Sequence, residues 1–263
     1  MRRTLFDKAM DEVAIDRLRE FEPEALAMHP DGYCFMDSGG KDSSATEELL
    51  KQSGVAYTAE HNNTTADPAE VIYFIRSKKY VTIHNPPMSM WALIRKKGMA
   101  PRRSARFCCQ ELKERGGHGR FVVTGVRWGE SLRRSKRQMV ESCYRDKTKR
   151  YLHPIIDWTT ADVWQFIKEN GVRYCKLYDP PYNMKRVGCI LCPMVRDISR
   201  QMELFPATCR AWERAVKATF DPDKGGNFAN AQEYWEWWLD RDAPSRAGSD
   251  DPVLFEDNPE AVE

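Results

Sequence analysis

No apolar run in this chain approaches the roughly 18 residues that a membrane span requires. The start, MRRTLFDKAMDEVAIDRLREF, carries acids throughout and reads as an amphipathic helix, not a secretory leader. The expected location is therefore the cytoplasm, with no membrane partner. The Walker A pattern Gly-x-x-x-x-Gly-Lys-Ser/Thr is missing, which excludes a P-loop. Internal repeats are missing too, and ordinary aromatic and aliphatic content excludes wholesale disorder. Net charge is only +2 over 263 residues. Eight cysteines in a chain of this size and location do not make a disulfide scaffold; they leave reduced thiols, metal ligation or catalysis.

The most informative stretch begins at Tyr33. The apolar segment Tyr33, Cys34, Phe35, Met36 stops, after Asp37, at Ser38-Gly39-Gly40-Lys41-Asp42-Ser43, and a helix-like run from Ser44 to Gln52 follows. Adjacent glycines let the backbone turn tightly and aim several N–H groups at one oxyanion. The helix N-terminus adds donors and a partial positive charge. Lys41 contributes a point charge, and Ser38 and Ser43 contribute hydroxyls. The pattern predicts a phosphate cradle; the plainer alternative is a Gly-Gly turn with an N-capping serine.

Charge is unevenly spread. Between Arg95 and Arg150 stand 18 Lys/Arg against 5 Asp/Glu. Downstream of a phosphate loop, such an excess points to polyanions, nucleotide phosphates first and nucleic acid as a further partner. A solvated face is the competing explanation.

Strands are expected at Val55 to Glu60, Tyr80 to Ile83 and Arg120 to Val126. Helices are expected at Ala69 to Lys78, Ser89 to Lys96 and from Thr160 onward, with Val163, Trp164 and Ile167 in the core. Near-continuous apolar strands alternating with helices predict an α/β fold with a parallel sheet covered on both faces and ligands at the carboxyl ends of its strands. The polar loop after the second strand, with His61 and Asn62, is a candidate adenosine contact, although His61 fits a surface-loop histidine better. A helical tail containing Met194 to Leu204 and the Trp-rich segment Gln232 to Leu239 is expected to close the fold. The expected organisation is an N-terminal helix (1–28), a nucleotide-binding domain (29–205) and a helical extension with an acidic flexible tail (206–263).

Cys189-Ile190-Leu191-Cys192 is a Cys-x-x-Cys, and Cys108-Cys109 is an adjacent pair 80 residues earlier. Redox dithiol, zinc half-site and iron–sulfur half-site are the three readings of the first. Neighbouring side chains diverge, which is awkward for one tetrahedral ion. A cuboidal cluster offers separate iron corners, so a 4Fe-4S cluster is favoured over zinc. Cys34 and Cys175 read as core, Cys143 as more exposed, and Cys209 carries no signal.

The Ser-Gly-Gly-Lys-Asp-Ser loop resembles that of the N-type ATP pyrophosphatases. Four further segments extend the likeness: Arg106 to Lys113 with Gly188 to Pro193; Thr124-Gly125-Val126-Arg127-Trp128-Gly129-Glu130-Ser131-Leu132-Arg133-Arg134; His153 to Trp158 with Asp162-Val163-Trp164; and Leu177-Tyr178-Asp179. Together, over roughly residues 30 to 205, they resemble the APS/PAPS reductase family. The likeness implies a Rossmann-like (HUP-type) doubly wound sheet with a C-terminal helical extension, and a 4Fe-4S cluster on Cys108, Cys109, Cys189 and Cys192. Two features depart from the reductases. The Glu-Cys-Gly-Leu-His tail motif is missing, no cysteine following Cys209, and the loop has the ATP-cleaving spelling. The resemblance then implies an ATP pyrophosphatase that adenylates an acceptor for sulfur transfer, similar to proteins of DNA phosphorothioation and tRNA thiolation. A sulfonucleotide reductase forming sulfite is the alternative.

Ser38, Gly39, Gly40, Lys41 and Ser43 are assigned to the β,γ-pyrophosphate of ATP. Asp42 is a magnesium ligand or a helix cap. Gly125 and Arg127 are placed at the α-phosphate, with Arg133 or Arg134 assisting. Lys41, Asp42 and Arg127 are the expected catalytic set. A sulfur donor such as a cysteine desulfurase, a nucleic-acid acceptor and a second copy of the chain complete the expected partners.

Overall fold

The computed structural model describes residues 1–5, 7–223 and 228–240. The acidic tail expected at the end of the chain lies outside them. Among the described residues, β1 (Tyr33–Met36), β2 (Tyr57–Asn62), β3 (Val81–His84), β4 (Phe121–Val123), β5 (Val140–Ser142) and β6 (Arg150–Leu152) form one sheet, ordered β3-β2-β1-β4-β6-β5. Every pairing is parallel except β5 with β6. The helices are α1 (Met10–Glu20), α2 (Glu22–Met28), α3 (Lys41–Ser53), α4 (Ala69–Ser77), α5 (Met90–Lys97), α6 (Leu132–Ser135), α7 (Thr160–Glu169), α8 (Ile198–Leu204), α9 (Pro206–Lys217) and α10 (Ala231–Leu239).

The chain divides into two compact units. The first takes Met1–Asn63, Ala69–His84 and Gly116–Gly188 and contains the whole sheet. Its central strands are apolar because both faces are covered: Tyr33, Cys34, Phe35, Phe121 and Val123 are fully buried. Strand order reverses between β1 and β4, so the crevice at their carboxyl ends is the topological switch point where α/β sheets bind ligands. The N-terminal stretch breaks at Phe21, ahead of Pro23. It is tied down by Arg17 on the Asp157 carboxylate (2.8 and 2.7 Å) and by Arg2 on Asp162 (3.0 Å).

The second unit takes Thr64–Pro68, Asn85–Arg115 and the described residues from Cys189 onward. Helix α9 is its centre, packed by α5, α8 and α10. Trp212 on α9 meets Trp91 edge-on (5.2 Å) and stacks on Trp238 (5.1 Å), which supplies much of the apolar area buried there.

The expected α/β, Rossmann-like sheet is present, with four local differences. Strand β2 runs on through His61 and Asn62, which pair with Ile83 and His84. His61 is therefore buried at 3% exposure, a correction to the surface-loop reading. Strand β4 ends at Val123, three residues early, because the chain turns there towards α3. Strands β5 and β6 were not expected: three residues each, with Glu141 and Arg150 in them, they lack an apolar signature. The helix expected from Met194 begins at Ile198, capped by Asp197.

Candidate functional site

The Ser38–Ser43 loop leaves β1 at the switch point, in the first unit. Gly39 has φ +71°, and a Cβ there would sit 2.7 Å from Val71 Cγ1, so glycine is required twice over. Asp37 Oδ1 accepts from the Gly39 N–H at 2.8 Å. Ser43 Oγ accepts from the Ser38 N–H at 3.2 Å and lies 2.7 Å from Ser38 Oγ. The loop thus closes on itself and delivers the chain into α3. Its N-cap, Gly40, has no side chain to cap the helix, and of the first N–H groups that of Lys41 donates to the Tyr178 hydroxyl. The remaining N–H groups of a first turn, with the positive end of the helix dipole, suit an anion.

Two buried cations meet over that turn. Lys41 Nζ lies 2.8 Å from Asp42 Oδ2, and Arg127 Nε lies 2.7 Å from Asp42 Oδ1. Asp42 therefore bridges cations and caps nothing. Arg127 is aimed by its own neighbours, donating to the Trp158 carbonyl at 3.1 Å while its backbone N–H donates to Glu130 Oε2 at 3.0 Å. Gly125 makes the approach of β4 to α3 possible, since a Cβ there would lie 2.8 Å from the Asp42 carbonyl carbon and oxygen. Ser38, Gly39, Gly40, Lys41, Asp42, Ser43, Gly125 and Arg127 all line this crevice. Arg134 joins indirectly, paired with Glu130. Arg133 is exposed on α6 and holds no ion pair among the described residues.

Several further residues support the loop, and of these Lys78 and Glu47 carried no signal in the sequence. Lys78 Nζ donates to Asp37 Oδ2 and Glu47 Oε2, both at 2.6 Å and all three buried, and the Tyr80 hydroxyl donates to Glu47 Oε1. A lysine that ends a helix looks like any solvated lysine. His61 Nδ1 meets the Asp37 carbonyl at 2.7 Å, and its Nε2 is buried without a partner among the described residues. The Tyr178 hydroxyl accepts from the Lys41 N–H at 2.9 Å, inside the cradle. Burial pushes its ionisation up, so it stays a neutral phenol. His153, beside the Arg127 turn, is lowered to about 3 by burial and by Arg137 and Arg134. It bonds Thr124 Oγ1 at 2.8 Å as a neutral ring.

The four cysteines singled out from the sequence belong to the second unit. Cys108, Cys109, Cys189 and Cys192 line one pocket with Thr64, Met90, Lys113, Pro193 and Trp212. Residues 109–113 form a π-helical turn, which sets the adjacent pair on a widened coil. Thr64 Oγ1 lies 3.2 Å from Cys189 Sγ. The adjacent Cys108 and Cys109 thiols oppose each other's ionisation, which holds Cys108 protonated, and burial raises Cys189. Among the described residues, no three His, Cys, Asp or Glu side chains converge as the ligands of a single ion would. Cys34, Cys175 and Cys209 are buried, and Cys143 is half-buried.

The sequence profile of the phosphoadenosine phosphosulfate reductase domain matches residues 33–195. Among curated relatives, an uncharacterized protein of Methanocaldococcus jannaschii is 27% identical over 216 residues, 76% of this chain and 50% of that protein. An adenosine 5'-phosphosulfate reductase of Oceanobacillus iheyensis is 37% identical over 70 residues, 27% of this chain and 28% of that protein. The chain spans about half, or less, of the length of these curated relatives. The solved phosphoadenylyl-sulfate reductase of Candida auris, a phosphate complex, superposes with a TM-score of 0.50 at 16% identity, covering 72% of this chain and 97% of that one. At that identity the likeness speaks to fold alone.

Proposed function

The chain belongs to the phosphoadenosine phosphosulfate reductase domain family, and within it we propose an ATP pyrophosphatase that activates an acceptor for sulfur transfer. The observation that carries this reading is the meeting of two buried cations, Lys41 and Arg127, on Asp42 in the first turn of α3. An acceptor oxygen attacks the α-phosphorus, the bond from that phosphorus to the bridging oxygen breaks, and pyrophosphate leaves with the electron pair. The protein's share is positioning and charge neutralisation. Ser38, Gly40, Ser43 and the first-turn amides hold the β- and γ-phosphates, while Gly39 shapes the turn. Lys41 offsets the charge growing on pyrophosphate, and Arg127 meets the α-phosphate. Asp42, engaged at both oxygens, keeps the two cations apart until phosphate replaces it. A magnesium ion carried by the nucleotide is the natural ligand for the carboxylate so released.

A 4Fe-4S cluster forms part of the same proposal, held by Cys108, Cys109, Cys189 and Cys192. The donor set fits it, with four thiols on one pocket wall and the Thr64 hydroxyl against Cys189 Sγ. When bound, such a cluster supplies electron or sulfur carriage.

The test is anaerobic incubation with ATP and magnesium, adenosine phosphosulfate and phosphoadenosine phosphosulfate in parallel, following AMP, pyrophosphate and sulfite, with iron and sulfide quantified beforehand. ATP should yield AMP and pyrophosphate, and Lys41→Ala should reduce that rate about 100-fold or more. Untouched ATP, with sulfite released from a sulfonucleotide, would replace this reading with the reductase one. The likeness to the Oceanobacillus iheyensis enzyme favours that second reading. It would need an accessible thiol to carry the sulfonate, and Cys209 is buried, its thiol 3.6 Å from the Gln201 carbonyl.

A further inference from the structure

Immediately beyond Arg127, at the carboxyl end of β4, the chain makes a short turn over Trp128–Glu130 and then α6. Residues 131–137 read SLRRSKR, four Lys/Arg in seven with no acid among them. Two of the four are engaged: Arg134 pairs with Glu130, and Arg137 with Glu141. Arg133 and Lys136 are exposed and pair with no acid among the described residues. Beside them, Trp128 remains 43% exposed although its Nε1–H donates to the Arg137 carbonyl at 2.7 Å. The indole is anchored by its polar edge and keeps apolar area in water. Leu132 is 88% exposed.

An anchored, exposed indole among uncompensated cations matches a ligand with regularly spaced negative charge and flat apolar faces. Mononucleotide phosphates are already met by the loop and Arg127. An acidic protein surface would use the cations but would leave the indole without a planar partner. We propose that this segment is a docking surface for single-stranded nucleic acid, with a base stacked on Trp128 and backbone phosphates on Arg133 and Lys136. Stacking on an aromatic side chain tolerates any base, and phosphate contacts carry no sequence, so binding is weakly selective and strongly salt-dependent. That the bound strand is the acceptor to be activated rests on the ATP pyrophosphatase reading; the binding itself does not.

The test is fluorescence anisotropy of the full chain with labelled single-stranded DNA and RNA of about 20 nucleotides, at several salt concentrations without ATP. AMP formation is measured on the same preparations. Trp128→Ala should weaken binding about 10-fold, whereas Trp128→Phe should retain most of it. Lys136→Ala should weaken it several-fold and reduce the salt slope by about one phosphate contact. Lys96→Ala, an exposed lysine of α5, should change neither. If Trp128→Ala does not fold, the Lys136→Ala salt slope still decides. Three outcomes would overturn the proposal: no binding at low salt, a salt slope unchanged in Lys136→Ala, or polyglutamate competing as well as the oligonucleotide. ATP cleavage without strand binding would remove this surface and leave the pyrophosphatase reading standing; strand binding without ATP cleavage would do the reverse.

Discussion

Lys78 separates the order of the phosphate loop from its chemistry. It touches none of the residues assigned to phosphate, yet it neutralises Asp37, the carboxylate that accepts the Gly39 N–H. Lys78→Met leaves Asp37 and Glu47 buried with no cation between them. It should cost about 3–5 kcal/mol in urea unfolding, and in whatever folds, nucleotide affinity should fall with the loop disordered. His153 gives a second expectation. Its folded value, about 3, lies below its ordinary value of 6.5. Between the two, the unfolded chain binds a proton that the folded chain refuses. This contribution to stability is therefore complete above about pH 6.5 and is lost progressively as the pH falls towards 3. His153→Gln should flatten the stability curve over that interval; an equally steep fall in the variant would assign the acid sensitivity to other groups. At this scale the loop itself was legible, because Ser-Gly-Gly-Lys-Asp-Ser is a local pattern. Lys78 and Glu47 were not, because each owes its place to a contact made far along the chain.

Elements were legible where packing and propensity agree. Helix α3, strand β1 and helix α7 follow from apolar periodicity. Strand β2 was set too short because His61 and Asn62 look like loop residues; their burial comes from Asp37 and β3 on either side. Strands β5 and β6 are held by their pairing with each other and with β4 and by contacts from elsewhere, Arg150 with Glu24 and Glu141 with Arg137. The turn at Gly125 was noticed for its neighbour Arg127, but the structure gives it a purpose of its own, the close passage over Asp42. Gly125→Ala should drive the first turn of α3 away from β4. Expected are a stability loss of about 1–3 kcal/mol and a nucleotide affinity reduced about 10-fold or more by titration calorimetry, with Lys41 and Arg127 both still present. Unchanged affinity would mean that the turn tolerates the displacement.

For the whole molecule, the sequence suggested consecutive blocks along the chain, whereas the structure interleaves two units. No composition shift marks the crossings at Asn63, His84, Arg115 and Gly188, because both units draw on the same mixture of apolar and basic residues. The interleaving places the two cysteine segments together in the second unit and the whole of the crevice between the Ser38–Ser43 loop and Arg127 in the first. Removing iron with a chelator from protein shown to hold it should therefore accelerate amide exchange in α5 and α9 while β1 and β4 remain protected. Uniform acceleration would mean that the units open together. The same chain path has an entropic consequence. Chain that leaves the second unit at Arg115 and re-enters it at Cys189 makes β4, β5, β6 and α7 a closed insertion. Any body that grips Cys109 and Cys189 together would act as a clasp on that insertion, like a disulfide across a long loop. By that analogy, it would deprive the unfolded chain of about 4.5 kcal/mol of conformational freedom. The clasp would thus favour the folded state without touching a single phosphate.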